Sequence, residues 1–293
     1  MKKVLLLLGV FFAVVAMAQD KIYVYFSDYT YESYDVNKMD SIYLDNQEGI
    51  LSGKFSVSAK QQVRFSQGNL QYQASTNTWR FAENQYDALG IANEQISSTD
   101  TEWIDLFGFG TSGYKGKYPY MTSMKAEDYG DGKNDITGTN YDWGVYNKIA
   151  NGGVIGKWHT LTYGEWNYIL NERINAEFYK SQASVCGVHG CLLLPDDFEC
   201  PLGITFTPKS GDYTTNNYNK SQWQSLEAAG AVFLPSAGRR KVSDVERVGS
   251  YGYYWSSEIR TTSNGRFLCF YSGKIALDYD AHYYGCSVRL VTE

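Results

Sequence analysis

The chain of 293 residues carries a formal net charge of −6, with 26 Lys and Arg against 32 Asp and Glu. This acidic balance, without a basic cluster, argues against a nucleic-acid partner, because phosphates require positive counter-charge. Tyrosine is abundant, at 26 residues against 5 prolines. Since tyrosine combines a large contact area with a polar tip, this composition suits a recognition surface, and an aromatic-rich β core is the alternative.

The first eighteen residues have the order of a secretory signal. Lys2 and Lys3 precede an apolar run over 4–15, and the small residues of 16–18 come directly before Gln19. This run is too short to span a bilayer, and no other apolar run approaches that length. We therefore expect a signal peptide over 1–18, export to the periplasm, the cell surface or the medium, and no membrane span.

The segment 19–50 predicts a small leading β-unit. Branched and aromatic residues at 22–26 and 40–44 are separated by a polar turn near 27–30. Such a unit buries little apolar surface on its own. The main domain is expected over 51–293.

Four strands are predicted at the start of this domain, at 55–59, 62–65, 70–73 and 78–81. Between 83 and 156 the sequence is irregular and rich in Gly, Asn, Asp, Tyr and Trp. We expect long packed loops there rather than disorder. The residues expected to anchor these loops are Trp103, Phe107, Phe109 and Trp143.

Two helices are predicted from capping boxes, in which a side chain at the helix start accepts from a first-turn amide. The first begins at Thr162 with Glu165 as the return partner, and the second begins at Ser221 with Gln224. Between these helices, the residues 184–194 predict a hairpin.

The C-terminal segment 249–293 contains three short apolar runs separated by Gly, Ser and Asn, a pattern typical of paired strands. Ser272 and Gly273 form a two-residue connection between two of these runs. Glycine at the second position accommodates the positive φ of a tight turn. We therefore predict a hairpin of 266–271 against 274–279.

Several sequence blocks resemble one known family. They are Gly-Tyr-Tyr-Trp-Ser-Ser at 252–257 and Gly-Cys-Ser-Val-Arg-Leu-Val at 285–291, with further blocks at 63–72, 141–147, 161–166 and 193–197. They resemble C-type-lectin-fold domains of the formylglycine-generating-enzyme type, over roughly 53–293. Within that group the chain is most similar to secreted paralogous (FISUMP-like) domains of Bacteroidetes and Fibrobacter and to variable proteins diversified by retroelements. The resemblance implies an α+β, C-type-lectin-like fold with two helices, short antiparallel strands and long loops.

In retroelement-diversified relatives, the interval between the closing blocks holds the variable ligand-contacting positions. The resemblance therefore implies a non-catalytic protein that binds an extracellular protein or glycan through a variable C-terminal surface at about 258–284. The candidate ligand-binding residues are Glu258, Ile259, Arg260, Asn264, Arg266, Lys274, Tyr279, His282 and Tyr283, on a scaffold of Trp255, Phe270, Val288 and Leu290.

Two other functions remain as alternatives. The oxidase branch of the family uses a pair of reactive cysteines near its C-terminal end, and the candidates here are Cys269 and Cys286, on different runs and without the close spacing of that branch. A structural surface component with an exposed hairpin and no selective ligand is the other alternative. A serine hydrolase is disfavoured, because Ser236 lacks the Gly-x-Ser-x-Gly setting.

The five cysteines leave at least one unpaired in an exported chain. Cys186 and Cys191 flank a short glycine-containing segment, and a hairpin there predicts a disulfide between them under oxidising conditions, with Cys200 free. The alternative is that the cysteines pack as small apolar residues. A zinc site is not expected, because no Cys or His spacing of such a site occurs.

The segment 128–135 is dense in oxygen ligands and glycine. Calcium, if it is bound, would be held by Asp128, Asp131 and Asp135, although the segment does not match the EF-hand pattern. The alternative is an Asx-rich turn with carboxylates that face solvent. No other cofactor is expected.

Overall fold

The computed structural model describes residues 6–7, 14–18, 21–25, 31–35, 49–94 and 96–293. The chain divides into two compact units, Met1–Asp45 and Asn46–Glu293. The described residues of the first unit form an antiparallel sheet with strand order β1-β2-β3-β4. Its strands are β1 (Leu6–Leu7), β2 (Val14–Ala18), β3 (Lys21–Tyr25) and β4 (Tyr31–Asp35). The predicted strand at 22–26 corresponds to β3, and the one at 40–44 lies outside the described residues.

The second unit is α+β, with small, mostly antiparallel sheets and few helices. Its strands are β5 (Phe55–Ser56), β6 (Gln62–Phe65), β7 (Leu70–Gln73), β8 (Thr78–Phe81), β9 (Trp103–Ile104), β10 (His159–Thr160), β11 (Lys180–Val185), β12 (Val188–Leu193), β13 (Asn217–Tyr218), β14 (Val232–Pro235), β15 (Arg239–Lys241), β16 (Asp244–Glu246), β17 (Tyr251–Thr261), β18 (Asn264–Tyr271), β19 (Lys274–Ala281), β20 (Tyr284–Gly285) and β21 (Leu290–Thr292). The strand orders are β10-β21-β6-β5, β8-β7-β9, β13-β11-β12-β14, β16-β15-β20 and β17-β18-β19.

The helices are short. They are α1 (Trp143–Tyr146), α2 (Tyr163–Asn167), which continues as a π-helical turn over Tyr168–Glu172, and α3 (Lys220–Ala228). Further 3-10 turns cover Gly90–Glu94, Tyr114–Gly116, Ala126–Asp128 and Ala176–Phe178. Within the described residues, none of the helices has the length and apolar character that a membrane crossing requires.

The capping box at Thr162 and Glu165 is confirmed as the start of α2. The predicted start of the second helix is wrong by two residues, because Asn219 caps α3 and Gln222 is its return partner. The Ser221 hydroxyl instead donates to the Asn219 side chain at 2.9 Å. Asparagine caps a helix as well as serine does, and Asn219 comes first after β13.

Several predicted strands are confirmed, with the same first and last residues. Strands β6, β7 and β8 coincide with 62–65, 70–73 and 78–81. Strand β5 is shorter than predicted, because the chain turns after Ser56 and the Val57 amide donates to the Gln61 carbonyl at 3.0 Å. The predicted hairpins are formed by β11 with β12 and by β18 with β19.

The C-terminal sheet β17-β18-β19 is covered on both faces along most of β17 and β18. Side chains alternate between faces along a strand. Trp255 and Phe267 lie in one apolar core, which also contains the loop residue Phe107. Tyr254 precedes Trp255 in β17, and Leu268 follows Phe267 in β18. Both therefore point to the opposite face of the sheet, where they lie in a second core. This double burial makes the sheet a rigid support for the residues at its ends.

Three of the four residues expected to anchor the irregular region contribute to the first core. Phe107, Phe109 and Trp143 are buried there. Trp103 is partly exposed, and the Arg80 guanidinium lies 3.8 Å from its ring centre. The region 83–156 is therefore a set of packed loops, as predicted.

The predicted disulfide between Cys186 and Cys191 is wrong. Cys186 is exposed in the two-residue turn between β11 and β12, whereas Cys191 is buried opposite Gln182. Cys191 lies three residues into β12, or about 10 Å from the start of that strand. Because Cys186 lies in the turn beyond that end of the strand, the Cα atoms of the two cysteines are farther apart than the about 7 Å that a disulfide tolerates. The five cysteines, all within the described residues, are free thiols.

Candidate functional site

The outer end of the C-terminal sheet, at the β17–β18 turn, gathers four of the predicted ligand-binding residues. Arg266 in β18 lies directly opposite Tyr279 in β19. The Arg260 guanidinium lies 5.6 Å from the centre of the Tyr279 ring, within range of a cation–π contact. The fourth residue, Glu258, lies near Arg260 on β17.

Tyr163, the first residue of α2, completes this group. The Arg266 guanidinium lies 4.2 Å from the Tyr163 ring centre. The Tyr163 amide donates to the Glu258 carboxylate at 3.1 Å. We call Tyr163, Glu258, Arg260, Arg266 and Tyr279 the Tyr163 cluster. Sequence analysis did not assign Tyr163, because 95 residues separate it from Glu258 and no local pattern relates a helix start to a distant strand.

A bulge in β17 directs Glu258 toward this helix. The register with β18 shifts between Trp255 and Ile259. In this interval the Ser257 amide donates to the Leu161 carbonyl at 2.8 Å. Bulges bend a strand, re-aim its side chains and occur often beside functional sites. At Ser257 the backbone of β17 therefore bonds to the segment that leads into α2, while the Ser256 hydroxyl still donates to the Arg266 carbonyl in β18 at 3.0 Å.

The Tyr163 cluster presents both signs of charge on a partly exposed surface. Arg260 is exposed, and the Tyr279 side chain is 49% exposed. Burial, and then the nearby Asp135 carboxylate, raise the pKa of Glu258. Asp135 accepts from the Ile259 amide at 2.8 Å, which places this carboxylate beside the cluster. Guanidinium groups, phenol rings and carboxylates together suit a polar ligand with charged or aromatic groups.

Five predicted residues lie outside the cluster, and four of them are near the surface of the sheet or its turns. Lys274 begins β19 at the opposite end of the sheet, where its ammonium lies 5.7 Å from the Tyr271 ring centre. Ile259 packs against the first core. Asn264 accepts from the hydroxyl of the preceding serine at 2.8 Å, within the β17–β18 turn. The Tyr283 ring stacks on the ring of the next residue at 4.9 Å.

His282 does not belong to the exposed surface, and the prediction that it is a ligand-binding residue there is wrong. Its side chain is 1% exposed and stacks on the Phe109 ring at 4.7 Å. The chain turns inward after β19, and the Phe109 amide donates to the His282 carbonyl at 2.9 Å. Burial lowers the pKa of His282 to about 4. It is a neutral core residue at physiological pH.

A second set of aromatic and cationic side chains lies beside the C-terminal sheet. The Arg239 guanidinium lies 4.2 Å from the Tyr284 ring centre and 5.2 Å from that of Tyr253. Arg247 donates to the Tyr253 hydroxyl at 2.6 Å. Arg239 also forms an ion pair with Asp280 at 2.8 Å. Sequence analysis missed this set, because the pairing of β15 with β20 that assembles it joins distant segments.

The functional groups of the Tyr163 cluster indicate what it can do chemically. No protein-family model, curated protein or solved structure matches the chain. The five side chains contain neither a thiol nor a hydroxyl–imidazole pair, which are common arrangements of an activated nucleophile. They offer cations, ring faces and hydrogen bonds, which are means of recognition.

The three aspartates predicted to hold calcium each bond to a different part of the chain. Asp128 accepts from the Ser123 hydroxyl. Asp131 accepts from the Lys133 backbone amide at 2.9 Å, as in an Asx turn, and from the Asn134 backbone amide at 2.7 Å. Asp135 bonds to β17, as described above. The described residues contain no group of three His, Cys, Asp or Glu that is arranged to hold a metal ion.

The two C-terminal cysteines are core residues. Cys269 and Cys286 both belong to the first apolar core. Burial raises the pKa of Cys269 to about 11, and burial also raises the pKa of Cys286 well above its ordinary value. Because the thiolate is the reactive form, both thiols are poor nucleophiles at neutral pH.

Proposed function

We propose that the chain is an exported, non-catalytic binding protein that recognises an extracellular protein or glycan through the Tyr163 cluster. The observation that carries this proposal is the assembly of five polar and aromatic side chains from two distant segments at one bulged sheet end. Cation–π pairs hold the rings and guanidinium groups in place before a ligand arrives. Such preorganisation reduces the entropy cost of binding.

The buried scaffold beneath the cluster supports the same function. Trp255, Phe270, Val288 and Leu290 are at most 1% exposed. The Trp255 indole donates to the Phe107 carbonyl at 2.7 Å, which fixes the strand that carries Glu258 and Arg260. Exposed residues on a rigid support can vary with little effect on stability. This division between support and surface is what a variable binding protein requires.

A C-type-lectin-like architecture is part of the proposal. Small antiparallel sheets, two helices with capping boxes and long packed loops are consistent with it. The low reactivity of the two buried C-terminal thiols favours a binding protein over an oxidase of the formylglycine-generating type. Diversification by a retroelement would be supported by a neighbouring reverse-transcriptase gene and a template repeat that differs from codons 258–284 at adenines.

The binding role is tested by exchanging two exposed members of the cluster together, Arg260→Ser and Tyr279→Ser. We expect thermal unfolding to change little, since exposed positions alter stability by about 0.5 kcal/mol or less. The set of ligands retained on a combined glycan and surface-protein array should change. A matched control exchanges Lys148→Ser and Tyr146→Ser at the end of α1. An array profile that is indifferent to the first pair, or altered equally by both pairs, would reject the proposal.

A further inference from the structure

A cleft of about 370 Å³ lies between the β5–β6 hairpin and the π-helical turn that follows α2. Its lining includes hydroxyl, amide and phenol groups, one buried cation and the carboxylate paired with it: Ser58, Gln62, Tyr168, Arg173, Asn175, Tyr179 and Asp196. No member of the Tyr163 cluster lines it. A cleft of this volume is at the small end of the range for ligand pockets.

Arg173 is the unusual member of this lining, because its side chain is only 2% exposed. Its Nε donates to the Ile169 carbonyl at 2.8 Å, and its Nη1 donates to Asp196 at 2.9 Å. The remaining nitrogen, Nη2, has no hydrogen-bond partner among the described residues. A buried donor without an acceptor costs free energy, and a small opening of the lining around Nη2 would let an acceptor oxygen on a molecule bound in the cleft recover that cost.

The charge of Arg173 is already balanced by Asp196. That carboxylate also accepts from the Ser56 hydroxyl at 2.6 Å and from the Gln62 amide at 2.9 Å. A second carboxylate on Nη2 would lie close to Asp196 and would be repelled by it. The unmet donor therefore favours a neutral acceptor, such as a hydroxyl or a ring oxygen.

We propose that this cleft is a separate binding site for a neutral saccharide unit. A sugar ring presents several hydroxyl groups, each of which donates and accepts hydrogen bonds, and it also has apolar C–H faces. Arg173 Nη2 supplies a donor, Gln62 and Asn175 supply amides, and the rings of Tyr168 and Tyr179 supply apolar surface with polar tips.

Asn175 allows a test that spares the fold. Its φ of 58° lies in the left-handed region, and its side chain makes no capping hydrogen bond to the 3-10 turn that follows. Glycine adopts this conformation readily. Asn175→Gly therefore removes an amide from the cleft at little cost to the backbone. Asn77→Gly is the matched control, because Asn77 also has a positive φ, of 50°, and lies in the β7–β8 turn.

The experiment titrates the ¹⁵N-labelled full chain with the methyl glycosides of glucose, galactose, mannose and N-acetylglucosamine, and with galacturonate as the charged comparison, by NMR. We expect at least one neutral glycoside to bind saturably. Asn175→Gly should weaken that binding by about three- to tenfold, the effect of one lost hydrogen bond, and Asn77→Gly should leave it unchanged.

Three results would overturn the proposal. One is that no neutral glycoside of the panel binds at any soluble concentration. Another is equal affinity of the native chain and the Asn175→Gly variant, which would place the binding elsewhere. The third is binding of galacturonate alone, which would contradict the charge balance at Arg173. The Arg260 and Tyr279 exchanges should not affect this titration, so failure here is distinguishable from failure of the proposed function.

Discussion

His282 and Asp105 are buried residues whose ionisation should affect stability in opposite directions. His282 stacks on Phe109 in the core, with its pKa lowered to about 4 by burial. Asp105 is completely buried and accepts from the Asn93 amide at 2.8 Å. Burial raises the pKa of Asp105 to about 6. Both therefore titrate differently in the folded and the unfolded chain over the same acidic range.

Replacing His282 should make the protein less sensitive to acid. The unfolded chain binds a proton at His282 below about pH 6.5, whereas the folded chain does so only below about pH 4. Stability is therefore fully present above pH 6.5 and is lost as the pH falls, by about 2–3 kcal/mol at pH 4.5. His282→Phe should remove this loss, as measured by urea unfolding at pH 7 and 4.5. Equal pH dependence in the variant and the native chain would contradict the assignment.

Replacing Asp105 should have the opposite effect on the pH profile. The folded chain retains the Asp105 proton up to about pH 6, and the unfolded chain loses it near pH 3.9. Stability therefore falls as the pH rises from 4 to 6, by about 2 kcal/mol. Asp105→Asn should gain stability relative to the native chain across this interval in the same unfolding experiment. A difference in the free energy of unfolding that stays the same from pH 4 to 6 would refute the prediction, whatever its size.

At the scale of elements, the sequence predicts those helix starts and turns that depend only on residues close together in the chain. The hairpin of β18 and β19 follows from Ser272 and Gly273, and the start of α2 follows from its capping box. The start of α3 was misplaced, because Asn219 and Ser221 are both good caps and only the end of β13 decides between them. The bulge in β17 has no local signature, since it depends on hydrogen bonds to distant segments.

The cap of α3 can be tested by two substitutions. Asn219→Ala should destabilise the protein by about 1 kcal/mol, because the Gln222 amide loses the acceptor that it contacts at 3.0 Å. Ser221→Ala should cost less, because the exposed Ser221 hydroxyl donates only to the Asn219 side chain, which still accepts from the Gln222 amide without it. Denaturant unfolding of both variants measures the difference. A larger loss of stability for Ser221→Ala than for Asn219→Ala would contradict the Asn219 cap and favour the capping box at Ser221 that the sequence predicts.

At the scale of the whole molecule, the C-terminal block is tied to segments far away in the chain. Alternation predicted Val288 and Leu290 in the core, and both are buried. It also directs Arg289 to the opposite face, yet Arg289 is 1% exposed, because it donates to the Ser66 and Phe233 carbonyls at 3.1 and 2.5 Å. An alternating pattern identifies one buried face, and it cannot indicate that other elements cover the second.

The same limit applies to the candidate site. The interval 258–284 was identified from its flanking blocks, and it contains Glu258, Arg260, Arg266 and Tyr279, which the fold brings together. His282 was assigned to the surface because a histidine in a polar interval gives no sign of burial. Tyr163 was missed because its contact with Arg266 spans more than a hundred residues of chain. The set around Arg239 was missed for a similar reason.

The most direct measurement of the central claim is the array profile of Tyr163→Ala, compared with that of the paired Arg260 and Tyr279 exchange. Tyr163 belongs to the start of α2, and the other two belong to the C-terminal sheet. If the Tyr163 cluster is one recognition surface, both variants should lose the same ligands while their thermal unfolding stays close to that of the native chain. Retention of the native profile by Tyr163→Ala, with the paired exchange altering it, would contradict a surface built jointly by α2 and the sheet.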